Sequence, residues 1–161
     1  MPLFARAMFA VVNNLAARRG FSPDRPDDET EEGRARRRTG LRGETFAYWY
    51  LRRQGYTIIA RNYRLPHPHG EIDLIGWDGD VLAFVEVKTR TTETGGPPEQ
   101  GVHAAKQEAV ARVARYYLAR RARRKHEETD DVPPHRFDVV AIEAKAGAPP
   151  TVRLHKGAFS S

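Results

Sequence analysis

Two apolar runs separated by a turn signal dominate the hydrophobic pattern in the middle of the chain. The first run covers residues 70–75, an Asp-Gly pair lies within residues 77–80, and the second run covers residues 82–90. Apolar residues on both sides of Asp-Gly are typical of a β-hairpin. Both strands carry apolar residues on their two faces, which indicates that the hairpin is central in a sheet and covered on both sides.

Charged residues interrupt this apolar hairpin at positions where a core is expected. Side chains alternate between the faces of a strand, so Asp73, Glu86 and Lys88 share one face if the turn has two or four residues. A turn with Asp-Gly at its centre sets Glu71 opposite Glu86 and makes Asp73 the diagonal neighbour of Glu86. The pattern therefore predicts a cluster of two carboxylates and one amine inside the fold.

A pair of carboxylates in a covered strand needs a cation, because an unpaired buried carboxylate costs several kcal/mol. Mg²⁺ suits the pair, since it takes oxygen ligands, needs few carboxylates and completes its coordination with water and substrate phosphate. The sequence thus predicts a Mg²⁺ or Mn²⁺ site with Asp73 and Glu86 as ligands. Lys88 would then orient or deprotonate a water molecule that the metal acidifies.

An acidic residue in one strand followed by Glu-x-Lys in the next resembles the PD-(D/E)xK nuclease superfamily. A longer ordered set is similar to the YraN family; it consists of Gly43-Glu44, residues 70–75, residues 84–90, Lys106-Gln107 and residues 136–140. That family comprises small bacterial proteins that resemble archaeal Holliday-junction resolvases and lack an established activity. The resemblance covers residues 39–159. It implies an α/β fold of the restriction-endonuclease type, with a mixed central sheet flanked by helices.

The resemblance also implies a Mg²⁺-dependent endonuclease that acts on DNA, with branched or otherwise structured DNA as a candidate substrate. Its catalytic residues would be Asp73, Glu86, Lys88 and Glu44. Resolvase-like enzymes often act as dimers on two-fold substrates, so a homodimer is one arrangement to test. Two alternatives stay open: a non-catalytic nucleic-acid-binding protein that retains the nuclease fold, and an interaction protein whose Asp73, Glu86 and Lys88 form a structural salt bridge.

Helical periodicity predicts a helix from Thr39 to Gln54, ended by Gly55. Glu44 falls on the same stripe of this helix as Ala47 and Leu51. An acidic residue there either complements the helix dipole in the first turn or lies close to the metal. The resemblance favours the second interpretation, because members of the superfamily often place a site glutamate on this helix.

A second helix is predicted from His103 to about Lys125, with a buried stripe that includes Val113 and Leu118. Its remaining surface is strongly basic and suited to phosphates, although cations near its end also complement the helix dipole. Further strands are predicted at residues 56–64, 136–142 and 151–155, and Asp138 is interpreted as structural. The candidate nucleic-acid contacts are Arg64, Arg90, Lys106, Gln107 and Arg112.

Composition adds a basic charge and excludes several classes of site. The chain has 27 Lys and Arg against 21 Asp and Glu, a formal net charge of +6. This balance favours a polyanionic partner such as nucleic acid, with a merely solvated basic surface as the alternative. The absence of cysteine excludes disulfides, thiolate zinc sites and cysteine nucleophiles. No apolar run approaches the ~20 residues of a membrane span, and no secretory signal is convincing, so a cytoplasmic location is expected.

The chain divides into three parts by pattern. Residues 1–20 read as a short amphipathic helix, which would dock on the domain, lie on a membrane surface or bind a partner. Residues 21–38 carry charges of both signs and few apolar side chains, which predicts a disordered linker. Residues 39–159 form the nuclease-like α/β domain.

Overall fold

The computed structural model describes residues 2–19, 21, 31–65, 70–91, 104–125, 132–145 and 147–160. Within these ranges the chain forms three helices and five strands. In chain order they are α1 (Pro2–Arg19), α2 (Glu31–Arg53), β1 (Thr57–Arg64), β2 (Glu71–Asp78), β3 (Val81–Thr91), α3 (Ala104–Lys125), β4 (His135–Ala144) and β5 (Thr151–Phe159).

The strands form one mixed sheet in the order β1-β2-β3-β4-β5. Neighbours are antiparallel except β3 and β4, which are parallel and are connected through α3. A parallel pair needs such a long crossover, whereas the antiparallel pair β2 and β3 is closed by a tight turn. The predicted class is confirmed: the protein has a mixed five-stranded sheet flanked by three helices, consistent with a restriction-endonuclease-like fold.

Two hydrophobic cores cover the two faces of this sheet. On one face, Phe46 and Leu51 of α2 pack with Val85 of β3. On the other face, Val113 of α3 packs with Phe84. Neighbouring residues of β3 thus belong to different cores, which is why this strand reads as a continuous apolar run and why both faces need a helix.

The first helix docks on α2 and forms part of the same core. Phe9 and Ala16 of α1 are buried, and the Phe9 ring meets the Phe46 ring edge-on with 5.2 Å between centroids. Of the roles considered for residues 1–20, the one seen in the structure is docking of α1 on the domain. None of the helices in the described residues is both long enough and apolar enough to cross a membrane.

The second helix starts earlier than its apolar pattern predicts. It begins at Glu31 and not at Thr39, so residues 31–38 are helical, which corrects this part of the predicted disordered linker. Residues 22–30 of that linker lie outside the described residues. The added segment is rich in Glu and Arg, which have high helix propensity. The prediction gave too much weight to the lack of apolar residues.

The turn of the central hairpin also differs from its predicted register. Asp78 pairs with Val81, so Gly79 and Asp80 form the two-residue loop. Gly79 adopts a φ of +60°, as required at the first central position of a type II′ turn. The loop still has two residues, and the prediction placed its centre one residue too early. As a result Ile75, not Asp73, lies opposite Phe84.

Close contact between α2 and β3 depends on a glycine. A Cβ added at Gly43 would lie 1.8 Å from Oγ1 and 2.9 Å from Cβ of Thr89. We expect Gly43→Ala to lower the free energy of unfolding by about 1–3 kcal/mol, because the helix must move away from the strand. Gly40→Ala is the matched control on the same helix, since its added Cβ meets no atom within 4 Å. It should raise stability by about 0.5–1 kcal/mol in urea unfolding; equal effects of the two substitutions would contradict this account.

Candidate active site

Asp73 is buried near the start of β2, beside β3. The paired register runs from Asp78–Val81 to Leu74–Val85, and Asp73 and Glu86 are the next residues along the two strands. This corrects the expectation that Glu71 opposes Glu86. The side chains of β2 do not alternate strictly here. Ile72 and Leu74 are two residues apart and should share a face, yet Ile72 packs on the side of α3 and Leu74 on the side of α2.

The side chain of Asp73 is held by the backbone of the neighbouring strand. Its Oδ2 accepts a hydrogen bond of 2.7 Å from the Val87 amide of β3. Only 6% of Asp73 is exposed. The carboxylate is therefore fixed at β3, next to the residues that the sequence pattern grouped with it.

Glu86 is the second buried carboxylate, and two lysines contact it. Its Oε1 lies 3.1 Å from Nζ of Lys88 on β3 and 3.2 Å from Nζ of Lys106 on α3. Its Oε2 is buried and has no hydrogen-bond partner among the described residues. The structure thus brings Lys88 to Glu86, as predicted. It also brings Lys106 to Glu86, whereas the sequence predicted Lys106 only as a candidate nucleic-acid contact.

Burial and the neighbouring Glu86 both favour the protonated form of Asp73. Burial, followed by the charge of Glu86, raises the pKa of Asp73 to about 7, although the Val87 amide and Lys106 act in the opposite direction. Burial alone would lower the pKa of Lys106, but the charge of Glu86 and the hydrogen bond to it raise this pKa. Because burial is the main cause of this raised pKa, a cation bound beside Asp73 would favour its ionised form.

The raised pKa of Asp73 gives a testable dependence of stability on pH. Between about pH 4 and pH 7 the folded state keeps a proton that the unfolded chain has lost, so stability falls as pH rises through this window. We expect Asp73→Asn to match the wild type in urea unfolding at pH 4, in EDTA. At pH 8 the variant should be more stable by on the order of 2 kcal/mol.

The amide oxygen introduced by Asp73→Asn can still accept the Val87 hydrogen bond, so the comparison isolates the charge. Asp80→Asn, in the exposed turn between β2 and β3, serves as the control and should show no such gain at pH 8. A stability difference for Asp73→Asn that is the same at pH 4 and pH 8 would contradict the raised pKa of Asp73.

Glu44 lies on the α2 side of the same site. Burial raises the pKa of Glu44, and its charge in turn raises the pKa of Asp73. This coupling supports the interpretation of Glu44 as a site residue over that of a helix-dipole partner. Ala47 and Leu51, on the same helical stripe, are fully buried as predicted.

Asn62 is a site residue that sequence reasoning missed. It bonds the Glu44 side chain and holds its backbone at a φ of +49°, a left-handed conformation that is uncommon outside glycine. Such local strain in a strand persists when surrounding contacts demand it, and it concentrates at functional positions. The only sequence signal was the residue type, since asparagine tolerates this conformation better than most.

The candidate nucleic-acid contacts are spread over three elements around the site. Arg64 ends β1 and forms an ion pair of 2.6 Å with Glu71, while Arg90 lies on β3 beyond Lys88. On α3, Gln107 is half-buried, and Arg112 is largely exposed with its guanidinium 3.8 Å from Glu108. The buried stripe predicted for this helix is confirmed, and its outward face carries the exposed residues Arg112, Arg115 and Arg120.

A second charged cluster surrounds Asp138 on β4 and is fully paired. Asp138 is fully buried and accepts hydrogen bonds from Nε of Arg136 at 2.9 Å, from the Tyr56 hydroxyl at 3.1 Å and from the Gly157 amide at 2.9 Å. Arg136 also pairs with Asp78. Because each partner is satisfied, this cluster connects strands, in agreement with the structural role expected for Asp138.

The donor set of the carboxylate site fits a hard divalent cation. Among the residues that the structure describes, no group of three or more His, Cys, Asp or Glu side chains could hold a metal together. Asp73 and Glu86 provide two carboxylates, one of which has the unpartnered buried oxygen. Mg²⁺ and Mn²⁺ are satisfied by such a set, since water and substrate phosphate complete their coordination.

Comparison with known proteins gives a family for this chain. A UPF0102 protein of Symbiobacterium thermophilum is 47% identical over 123 residues, which are 76% of this chain and 97% of that protein. A UPF0102 protein of Koribacter versatilis is 44% identical over 122 residues, 76% of this chain and 79% of that protein. The model of the uncharacterised protein family UPF0102 matches residues 43–142, a range that contains every candidate catalytic residue. The chain therefore belongs to UPF0102, the YraN family to which its motifs are similar.

Proposed function

We propose that this protein is a divalent-metal-dependent endonuclease that hydrolyses a phosphodiester bond in DNA, with branched or otherwise structured DNA as its substrate. The observation that carries the proposal is the buried pair Asp73 and Glu86, with two lysines on one oxygen of Glu86 and no partner on the other among the described residues. A purely structural salt bridge accounts less well for this arrangement, because it leaves Asp73 with a raised pKa of about 7.

Each residue has a role that follows from its position. Asp73 and Glu86 would hold Mg²⁺ or Mn²⁺, and Glu44 adds negative charge on the α2 side. When bound, the ion would polarise the phosphate and lower the pKa of water. The side chain of Lys88 is 30% exposed beside Glu86, so its ammonium can reach an attacking water molecule and orient it toward phosphorus.

Lys106 would assist the same hydrolysis from the helix α3. It approaches Glu86 from the first turns of α3, and 35% of its side chain is exposed. A cation in this position can attract a phosphate group toward the carboxylate pair, where negative charge would otherwise repel it. Arg90, Gln107 and Arg112 lie on the same two elements and would contact the flanking backbone of the substrate.

A cleavage panel with a matched binding measurement tests this function. Single-stranded, duplex, flap and four-way DNA substrates would be incubated with Mn²⁺ or Mg²⁺, and the products resolved on denaturing gels. Isothermal titration would measure Mn²⁺ binding to the wild type and to the variant Asp73→Asn/Glu86→Gln. We expect cleavage of at least one structured substrate, and Mn²⁺ binding that the double substitution abolishes. Nucleic-acid binding without cleavage or Mn²⁺ binding would favour the non-catalytic alternative.

A further inference from the structure

Aromatic rings and guanidinium groups form a compact surface where α2 meets the edge strand β1. This surface, which we name the Tyr48 cluster, consists of Tyr48, Trp49, Arg52 and Arg61. The rings of Tyr48 and Trp49 meet edge-on with 4.9 Å between centroids. Cζ of Arg52 lies 5.5 Å from the centroid of each ring, and Cζ of Arg61 lies 4.9 Å from the Tyr48 centroid.

The Tyr48 cluster carries two guanidinium charges, and that of Arg61 acts on the Glu44 carboxylate. Neither Arg52 nor Arg61 forms an ion pair with a carboxylate among the described residues, and Arg61 is exposed. Arg52 donates a hydrogen bond of 2.8 Å to the Tyr48 hydroxyl, which fixes its guanidinium beside the ring. Two guanidinium groups at one half-buried ring form a surface complementary to an anion that also has flat apolar parts.

The cluster is continuous with the candidate active site. Glu44 lies one helical turn before Tyr48 on α2, so the two side chains are on the same side of the helix. Arg61 precedes Asn62, which bonds Glu44, and the charge of Arg61 lowers the pKa of Glu44. A chain that crosses the Tyr48 cluster toward Glu44 would therefore arrive at Asp73 and Glu86.

Docking of α1 accounts only for the contact of Trp49 within the Tyr48 cluster. Phe4 meets Trp49 edge-on at 5.8 Å, yet 59% of Phe4 remains exposed. The arginine on β1 has no part in that contact, because it lies over Tyr48. The position of Arg61 over the half-buried ring of Tyr48 on α2 is therefore not explained by the docking of α1.

We propose that the Tyr48 cluster binds a single-stranded segment of the DNA substrate and leads it into the Asp73–Glu86 site. Unpaired bases can stack on aromatic rings and guanidinium planes, while arginine cations contact the phosphates. Bases inside a duplex are already stacked and cannot use such a surface. The claim that the strand ends at the Asp73–Glu86 site rests on the proposed function. The inference narrows the substrate to DNA with an unpaired arm.

The basic face of α3 provides the second half of this arrangement. Arg112, Arg115 and Arg120 lie on the helix that covers the opposite face of the sheet from α2. That face has cations and suits the backbone of a duplex. A substrate with a junction between one and two strands would therefore contact both surfaces, with the junction at the carboxylates.

Binding of oligonucleotides to the full chain in EDTA tests the inference without any cleavage. The probe is a fluorescein-labelled oligo-dT of about 15 nucleotides, compared by anisotropy with a hairpin duplex of equal length. We expect tighter binding of oligo-dT, and a loss of affinity of about tenfold or more in Arg61→Ala and in Tyr48→Ala, as stacking contributions suggest. Arg61→Lys keeps the charge but not the planar group, and should recover only part of the affinity.

Arg153→Ala is the matched control, because Arg153 is an exposed arginine on the opposite edge strand β5. It should change the affinity for oligo-dT by less than about twofold. An oligo-rU arm distinguishes RNA from DNA as the preferred strand. Wild-type affinity for oligo-dT in Arg61→Ala, or an equal loss of hairpin and oligo-dT affinity in this variant, would overturn the inference. Arg61 is exposed, so this variant remains informative if Tyr48→Ala fails to fold.

The binding result for the Tyr48 cluster can be distinguished from the cleavage result for the Asp73–Glu86 site. Binding is measured without divalent metal, so a negative cleavage panel leaves the Tyr48 cluster as a nucleic-acid surface and removes only the catalytic role. Conversely, cleavage that persists together with unchanged oligo-dT binding in Arg61→Ala would retain the activity and reject this path for the strand.

Discussion

Replacing Lys88 by methionine, or Asp73 by asparagine, is expected to lower divalent-metal-dependent DNA cleavage by about 10³-fold or more. The ammonium of Lys88 lies 3.1 Å from Glu86 Oε1, where it can orient a water molecule at the carboxylate pair. Loss of Asp73 removes one of the two carboxylates. Positioning and metal-assisted charge stabilisation each contribute several kcal/mol to such reactions, which corresponds to at least this factor.

The measurement compares initial rates on the best substrate of the cleavage panel, with circular dichroism to verify the fold of each variant. Arg153→Ala should retain the wild-type rate, since this residue lies on β5 at the edge of the sheet and pairs with Glu143. Metal-dependent cleavage that persists in a highly purified Asp73→Asn/Lys88→Met variant would discard the assignment of the site.

Arg136→Met is expected to cause the largest loss of stability, about 3–5 kcal/mol. Asp138 has no exposed surface, and the substitution removes its only cationic partner among the contacts described. The remaining donors, the Tyr56 hydroxyl and the Gly157 amide, are neutral and do not compensate a buried charge. Asp78 would lose one of its two cationic partners as well, and these contacts now lower its pKa.

Urea unfolding at pH 7 measures this effect, and thermal unfolding should show a decrease in Tm of about 10 °C. The matched control is Arg153→Met, which breaks an ion pair of 2.8 Å whose side chains are 46% and 41% exposed. Exposed pairs contribute less than about 1 kcal/mol, so this variant should remain close to the wild type. Similar losses in the two variants would show that burial does not determine the cost.

The double variant Arg136→Met/Asp138→Asn separates the buried charge from the lost packing. The Oδ1 of asparagine can still accept from the Gly157 amide, its Nδ2 can donate to the Tyr56 hydroxyl oxygen, and it carries no charge. We expect it to recover a part of the stability lost in Arg136→Met, because the penalty comes mainly from the uncompensated carboxylate. A double variant that is less stable than Arg136→Met would indicate that contacts of the arginine stem dominate.

Periodicity located the elements whose burial repeats along the chain. The helix α3 and the strands β2 and β3 were predicted nearly at their observed ends, because each has a regular apolar pattern. The start of α2 was missed, since residues 31–38 are charged and give no amphipathic signal. The turn was displaced by one residue because Asp-Gly and Gly-Asp both suit two-residue hairpin loops.

The site was predictable where its residues are close in sequence and unpredictable where they are not. Glu86 and Lys88 share a strand, so their proximity follows from alternation alone. The approach of Lys106 and the hydrogen bond from Asn62 to Glu44 depend on how α3 and β1 pack on the sheet. No local pattern records such distances, and the Tyr48 cluster was missed for the same reason.

The mixed α/β class, the acidic hairpin and the family of this protein follow from the amino-acid sequence alone, because hydrophobic periodicity and short motifs are local properties. Three contacts required the folded chain: the Val87 amide donates to Asp73, two lysines contact one oxygen of Glu86, and Arg61 lies over Tyr48. Strand register and helix packing fix these contacts, and both result from competition among many weak interactions over the whole chain.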